Sequence, residues 1–371
     1  MSIAKRLLLL LALLPALLPA QNLLEQGRNA EQLQIYDRAQ AYYQQAIDAA
    51  PLDAEPHVAM GLLLERRCRY AQALSHFQQA VALDSTHALA YEHLAFCHLQ
   101  TDDYDCLPTI ERAIELNPLS PSALCSMALY VCHEKNYTNA LHWAKKALEA
   151  DPNSARAYNT IGIIHYHRGQ DNDAIAQFRK AIQVDPDNND AYYNLGVMYT
   201  LRNNYESAIT QLRKGLQRDP KSLRLYYYLG VAYIQKGDTP RAIACYEHII
   251  TQLDSLYTPA YNRLGAIYSG KGEYDRAVAY HQKAARIDPH DAESYTCLGK
   301  VNTDRGDYPK ALRAYQNAVQ INPRDHQTHL LIAQLYHRQN NTARETASYK
   351  KAARLGNREA QKWLADRGQA W

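Results

Sequence analysis

The chain carries little of what catalytic and nucleic-acid-binding readings rest on. Its net charge is only +3 over 371 residues, too small a balance to grip a polyanion. It has no Gly-rich phosphate loop and no Gly-x-Ser-x-Gly elbow. His133-Glu134 lacks the second histidine of a zinc-protease helix. His165 and His167, two apart, point to different faces of a helix and form no metal pair. Asp185-Pro186-Asp187-Asn188-Asn189 imitates the start of a calcium loop. It fails at Asp190, where the loop needs glycine, and at Gly196, where it needs a bidentate glutamate. The seven cysteines are an odd number, and none shows zinc-ligand spacing. The expectation is a protein with no catalysis, no metal, no cofactor and no nucleic-acid partner.

A long hydrophobic run occurs at the start. Lys5 and Arg6 precede an apolar stretch from Leu7 to Leu14 that continues past Pro15 to Leu18. This is short of the roughly 20 residues that a membrane span needs. Residues 1–20 read as a signal peptide cleaved after Ala20, or alternatively as a short uncleaved anchor. Both readings export the body of the chain, to a periplasm or beyond the cell. No cysteine follows Leu17-Leu18-Pro19-Ala20, which excludes bacterial lipidation there. Asn136-Tyr137-Thr138 and Asn340-Asn341-Thr342 are sequons on turns, relevant where the host glycosylates exported proteins.

What the rest of the chain holds is repetition. Residues 189–222 contain two amphipathic segments joined by a turn and closed by Asp219-Pro220. Tyr192, Leu195, Gly196 and Tyr199 share one helix face, and Ala208 and Leu212 begin a second. Gly196 and Ala208 are small enough to let the two helices approach. Pro220 ends the second helix. The same pattern returns every 34 residues: Tyr158, Tyr192 and Tyr226; Gly162, Gly196 and Gly230; Ala174, Ala208 and Ala242; Pro152, Pro186 and Pro220. A one-residue shift then carries it on through Tyr261, Gly265 and Ala277 to Tyr295, Gly299 and Ala311.

An aromatic-x2-Leu-Gly-x2-Tyr, Ala-x3-aromatic, Pro pattern at a 34-residue period resembles the tetratricopeptide repeat (TPR). The resemblance covers almost everything after residue 20 and implies an all-α, right-handed α-solenoid of about ten repeats. The expected boundaries are 21–53 (capping), 54–87, 88–120, 121–154, 155–188, 189–222, 223–257, 258–291, 292–325 and 326–357. A capping helix and tail follow at 358–371. Repeat 88–120 is irregular, because one residue is missing between Tyr104 and Cys106. Pro108 must then sit in the first turn of its second helix. One extra residue is expected near Leu256-Tyr257, and Glu345 stands where alanine is usual. Gly169, Gly237, Gly272 and Gly306 suit left-handed helix ends. Ser120, Ser154, Asn188, Asp291 and Asp325 suit N-caps.

Among the cysteines, Cys125 and Cys132 lie seven apart on one helix, about 10 Å, too far to bridge. Cys97 and Cys106 face each other across a helical hairpin and are the only pair placed to form a disulfide; the alternative is that both are buried free thiols. Charge is uneven: residues 21–150 carry 9 basic and 16 acidic side chains, net −7, and residues 151–371 carry 30 and 22, net +8. Much of the excess lies on second helices, as at Lys350-Lys351, and reads as a solvated outer face.

The resemblance further implies that first helices line a concave face that takes a protein or extended peptide. Carried over repeat by repeat, that face holds Asn159, Ile163 and Tyr166, then Tyr193, Asn194 and Val197. It continues with Arg224, Tyr227, Tyr228 and Val231, then Asn262 and Arg263. The best-registered repeats, five to eight, are expected to hold the site, with Arg224 offering a fork for a carboxylate. Replacing Arg224 and Tyr227 is expected to remove binding and leave helicity and melting temperature nearly unchanged. The clamp for acidic tails found in some family members fails at Ile163 and Tyr228. The asparagine ladder of glycosyltransferase-linked arrays fails at Thr160, Tyr228, Arg263 and Cys297. The function expected is a non-catalytic scaffold in an envelope or secretion assembly. The alternative is an accessory subunit of polysaccharide synthesis or export, binding glycan on the same surface.

Overall fold

Local chemistry sets up the same hairpin again and again in the computed structural model, which describes residues 20–371. The expected leader and its processing lie outside the described residues. The first helix, α1, is described over residues 20–32. Then come α2 (Tyr36–Ala49), α3 (Ala54–Arg66), α4 (Tyr70–Leu83), α5 (Ala88–Gln100), α6 (Leu107–Leu116) and α7 (Pro121–His133). They continue as α8 (Tyr137–Ala150), α9 (Ala155–His167), α10 (Asp171–Val184), α11 (Asn189–Leu201), α12 (Tyr205–Arg218), α13 (Leu223–Lys236) and α14 (Thr239–His248). The last are α15 (Thr258–Gly270), α16 (Tyr274–Ile287), α17 (Ala292–Arg305), α18 (Tyr308–Ile321), α19 (His326–Arg338), α20 (Thr342–Arg354) and α21 (Arg358–Ala365). Among the described residues there is no strand, and no helix is long and apolar enough to cross a membrane. The chain divides into two compact units, Met1–Tyr228 and Leu229–Trp371.

Each hairpin turns on one residue with positive φ. The series is Gln34, Cys68, Asp102, Lys135, Gly169, Asn203, Gly237, Gly272, Gly306 and Asn340. Glycine fills it at no steric cost, and the other residues hold it against the penalty of a Cβ in the left-handed region. The N-caps follow the expected chemistry: Ser120, Ser154 and Asn188 accept the backbone N–H of Ala123, Ala157 and Ala191.

Hairpins close by a side chain of the second helix seated on a glycine of the first. A Cβ on Gly196 would lie 2.7 Å from Leu212, and one on Gly27 would lie 2.3 Å from Tyr43. Gly27 is 34 residues before Gly61, which does the same against Phe77. The first repeat therefore closes like its successors although it lacks the aromatic opener.

Three irregularities resolve locally. Pro108 lies in the first turn of α6, which has only 10 residues against 14 in α8. The extra residue expected near Leu256-Tyr257 is instead absorbed earlier, as a π-helical turn over Ile249–Leu253. A π-turn accommodates one inserted residue without breaking the helix. Glu345, buried in the place of alanine, is bonded by His337 Nδ1 at 3.0 Å. In the second unit α21 covers the last pair. Leu364 is fully buried there, and the Trp363 ring stacks on Tyr349 with centroids 3.9 Å apart.

The candidate Cys97–Cys106 disulfide is corrected: both thiols are free. Cys97 packs with Phe77 and Leu94, and its thiol points to Glu65 Oε2 at 3.9 Å. Cys106 packs in a different cluster, with Leu99 and Ile110. Burial raises both thiol pKa values, that of Cys106 to about 11, so neither is a ready thiolate.

Candidate functional site

Within the first unit, the first helices of successive hairpins surround a cavity of about 860 Å³. Its walls come from α1, α3, α5, α7, α9, α11 and the start of α13. Along it runs an apolar stripe of half-buried side chains, Leu62, Phe96, Leu129, Ile163 and Val197. Each of these follows the small residue that packs against the second helix, so the repeat itself sets their register. The sequence reading picked out Ile163 and Val197. It missed Leu62, Phe96 and Leu129, although the 34-residue spacing, with the one deletion, points to all five.

The expected site residues fall into three groups. Asn159, Tyr166, Tyr193, Asn194 and Arg224 do line the cavity. Tyr166 is the most open of them, with 40% of its surface exposed. Asn194 makes no side-chain hydrogen bond among the described residues. Tyr227 and Tyr228 instead pack on their neighbours: Tyr228 lies 4.5 Å from the Tyr193 ring and 5.2 Å from that of Tyr227. Asn262 and Arg263 belong to the second unit. Asn262 is buried, donating to Asp291 Oδ2 and bonding Ser294 and His281. It ties adjacent repeats together and is not available to a ligand.

Arg224 departs most from expectation. Its guanidinium pairs with Asp190, donates to the Tyr70 hydroxyl and reaches Gln100 Oε1 at 3.4 Å. It also lies 4.9 Å from the Tyr193 ring centroid. Burial, the strongest single influence, works against its charge, but Asp190 together with Cys68, Tyr70 and Tyr193 outweighs it and raises the pKa well above the usual value. Lys221 Nζ donates to the Gln34 carbonyl at 2.8 Å nearby. These bonds join the start of α13 and the turn before it to hairpins 154 and 187 residues earlier. Arg224 is a seam that closes the wall of the cavity, not a free fork. The cavity draws on hairpins from α1 onward, whereas the expectation centred on repeats five to eight.

The polar lining is mostly satisfied internally. Arg66 meets Glu31 at 3.3 Å, Arg28 meets Glu55 at 3.6 Å, and His93 meets Glu65 at 2.7 Å. Three groups are not. Arg156 Nη2, Asn159 Oδ1 and Asn189 Oδ1 are buried with no hydrogen-bond partner among the described residues. Buried polar atoms are rarely left so, and each is open to a bond from water or from a ligand. Among the described residues no cluster of three or more His, Cys, Asp or Glu could hold a metal ion.

The family's sequence models match along most of the chain. That described as "TPR repeat" matches residues 162–201, 196–237 and 301–340. Those described as "Tetratricopeptide repeat" match residues 24–88, 143–176, 224–252 and 258–291. The chain belongs to the tetratricopeptide repeat family. Similar solved structures include yeast Tom70, at 13% identity over 94% of each chain with a TM-score of 0.49. Pseudomonas aeruginosa PilF is 21% identical over 57% of this chain and 97% of that one, with a TM-score of 0.45. MamA is 28% identical over 43% of this TPR chain and 94% of its own, with a TM-score of 0.37. No curated protein matches the sequence.

Proposed function

We propose that this TPR protein is a non-catalytic scaffold that takes an extended peptide segment of a protein partner into the cavity of its first unit. TPR arrays bind protein partners, and the observation that carries the reading here is the cavity lining. It combines a continuous apolar stripe with buried polar atoms that no internal group satisfies. Apolar side chains of a peptide would cover the stripe, and its main chain would bond to the amides. The Lys5–Leu18 segment supports an exported location, in an envelope or secretion assembly. The glycan-binding alternative would use the same tyrosines. The Leu62-to-Val197 stripe weighs against it, since a hydroxyl-rich chain leaves aliphatic side chains poorly covered.

A photo-crosslinking residue in place of Tyr166 tests the site, with one in place of the exposed Lys351 as control. The expected result is a protein adduct from the native envelope at Tyr166 alone. Adducts at Lys351 only would move the site to the outer face, and saturable tyrosine fluorescence changes with oligosaccharides would favour glycan.

A further inference from the structure

Arg156, the second residue of α9, is set apart from the other arginines of the cavity. Arg28, Arg66 and Arg224 each meet a carboxylate of the lining. Arg156 has none within ion-pair distance among the described residues. Its guanidinium carbon lies over the Phe96 ring, 4.4 Å from the centroid, and its Nη2 is buried without a hydrogen-bond partner among the described residues. Glu65, which with Arg156 acts on the Cys97 thiol, is already bonded by His93. A desolvated guanidinium nitrogen with no acceptor is costly, and an incoming carboxylate removes that cost with two parallel N–H···O bonds.

Beside it stand two amide oxygens that lack donors. Asn159, one turn along α9 and only 5% exposed, spends its Nδ2 on Asn188 Oδ1 at 2.8 Å and leaves Oδ1 open. Asn189, at the start of α11, spends its Nδ2 on Asp219 and also leaves Oδ1 open. A ligand that satisfies all three groups offers one anion and several N–H donors, which a peptide does. Acceptors on both α9 and α11 take the main chain across two repeats. A carboxylate met on the way comes from a side chain, not from the chain end. Glu31, Glu55, Glu65, Asp190 and Asp219 line the same cavity, so a polyanion would be repelled and a single carboxylate tolerated.

We propose that Arg156 recognises one aspartate or glutamate side chain of the bound peptide, flanked by apolar residues that cover the stripe. Asn159 and Asn189 accept its main-chain N–H groups. This rests on the peptide-binding reading above and adds the chemistry of the bound segment.

The test uses nonapeptide libraries, one set capped at both ends and a parallel set uncapped, with apolar residues randomised around a central glutamate or a central glutamine. Equilibrium capture on the full chain is expected to enrich the glutamate peptides by about tenfold. Arg156→Gln is expected to remove that preference while leaving apolar peptides bound, and Lys351→Gln to change nothing. Equal capture of both libraries by the unaltered protein overturns the proposal and leaves peptide binding standing, without needing any variant to fold. A preference that survives Arg156→Gln overturns it too, as does capture of uncapped peptides only, which would place a chain-terminal carboxyl on the cavity. Capture of no peptide overturns both this proposal and the reading beneath it.

Discussion

His281 illustrates how a single buried side chain couples this array to pH. It is 1% exposed, its Nδ1 bonds to Asn262 Oδ1 at 3.1 Å, and it seats on Gly265 as Tyr43, Phe77, Phe178, Tyr246 and Tyr315 seat on the glycines of their own hairpins. Burial first, and Lys300 second, lower its pKa to about 4. The folded state thus keeps the ring neutral while the unfolded chain protonates it below about 6.5. Unfolded chains then bind more protons, and stability is lost as pH falls from about 6.5 towards 4. The loss in the second unit should be on the order of 3 kcal/mol. Urea unfolding between pH 7 and pH 4.5 should show the midpoint fall, and His281→Phe should flatten that dependence. A pH-independent midpoint in the unaltered protein would contradict the assignment.

Helix ends and turns set the differences between hairpins. Lys135 holds φ 61° in a turn where Gly169, Gly237, Gly272 and Gly306 stand in other hairpins. Relieving its Cβ by Lys135→Gly should raise stability by about 1 kcal/mol, and Gly306→Ala should lower it by about as much. Thermal melts of the two variants should move in opposite directions. The α5–α6 hairpin is the weak element for a separate reason. Its second helix is short, its N-cap residue Cys106 makes no side-chain capping bond, and residues 101–106 form a longer irregular turn. Amides of residues 101–110 should exchange with deuterium before those of α11 and α12. Slower exchange there would show that the missing residue costs nothing.

At the scale of the whole molecule, repeats are expected to touch only their neighbours, and the first unit breaks that rule. Arg224 and Lys221 reach residues of the first three hairpins, and Arg224, Tyr70 and Gln100 together form part of the cavity wall. The earlier expectation that replacing Arg224 leaves stability alone is therefore reversed. Arg224→Ala takes the guanidinium away from the half-exposed Asp190 and the part-buried Tyr70 hydroxyl and should cost about 1 kcal/mol. Arg224→Lys should recover only part, since one ammonium cannot reach three partners in a fixed fork. Tyr166→Ala, by contrast, should change stability by less than about 0.5 kcal/mol while weakening partner capture. Urea unfolding set beside crosslinking yield separates the two kinds of residue, and equal stability in the Arg224→Ala variant would remove the seam.

Much of this architecture was legible in order along the chain. The hairpins, their caps, the left-handed glycines, the turn at Pro108 and the cover by Trp363 and Leu364 depend on residues within about one repeat of each other. Period, propensity and turn chemistry act at that range, so they can be read directly. The same period would also have supplied Gly27 and the whole apolar stripe. What the period could not supply was which concave side chains stay free. Asn262 and Arg224 occupy the same kind of surface as Asn194 and Tyr166, yet a neighbouring repeat claims one and a distant hairpin claims the other. Tyr70 lies 154 residues from Arg224. That meeting is decided by small rotations summed over several repeats, which no local pattern records. The tertiary structure alone therefore turned a predicted fork into a seam and left Arg156 as the cation of the cavity without a carboxylate.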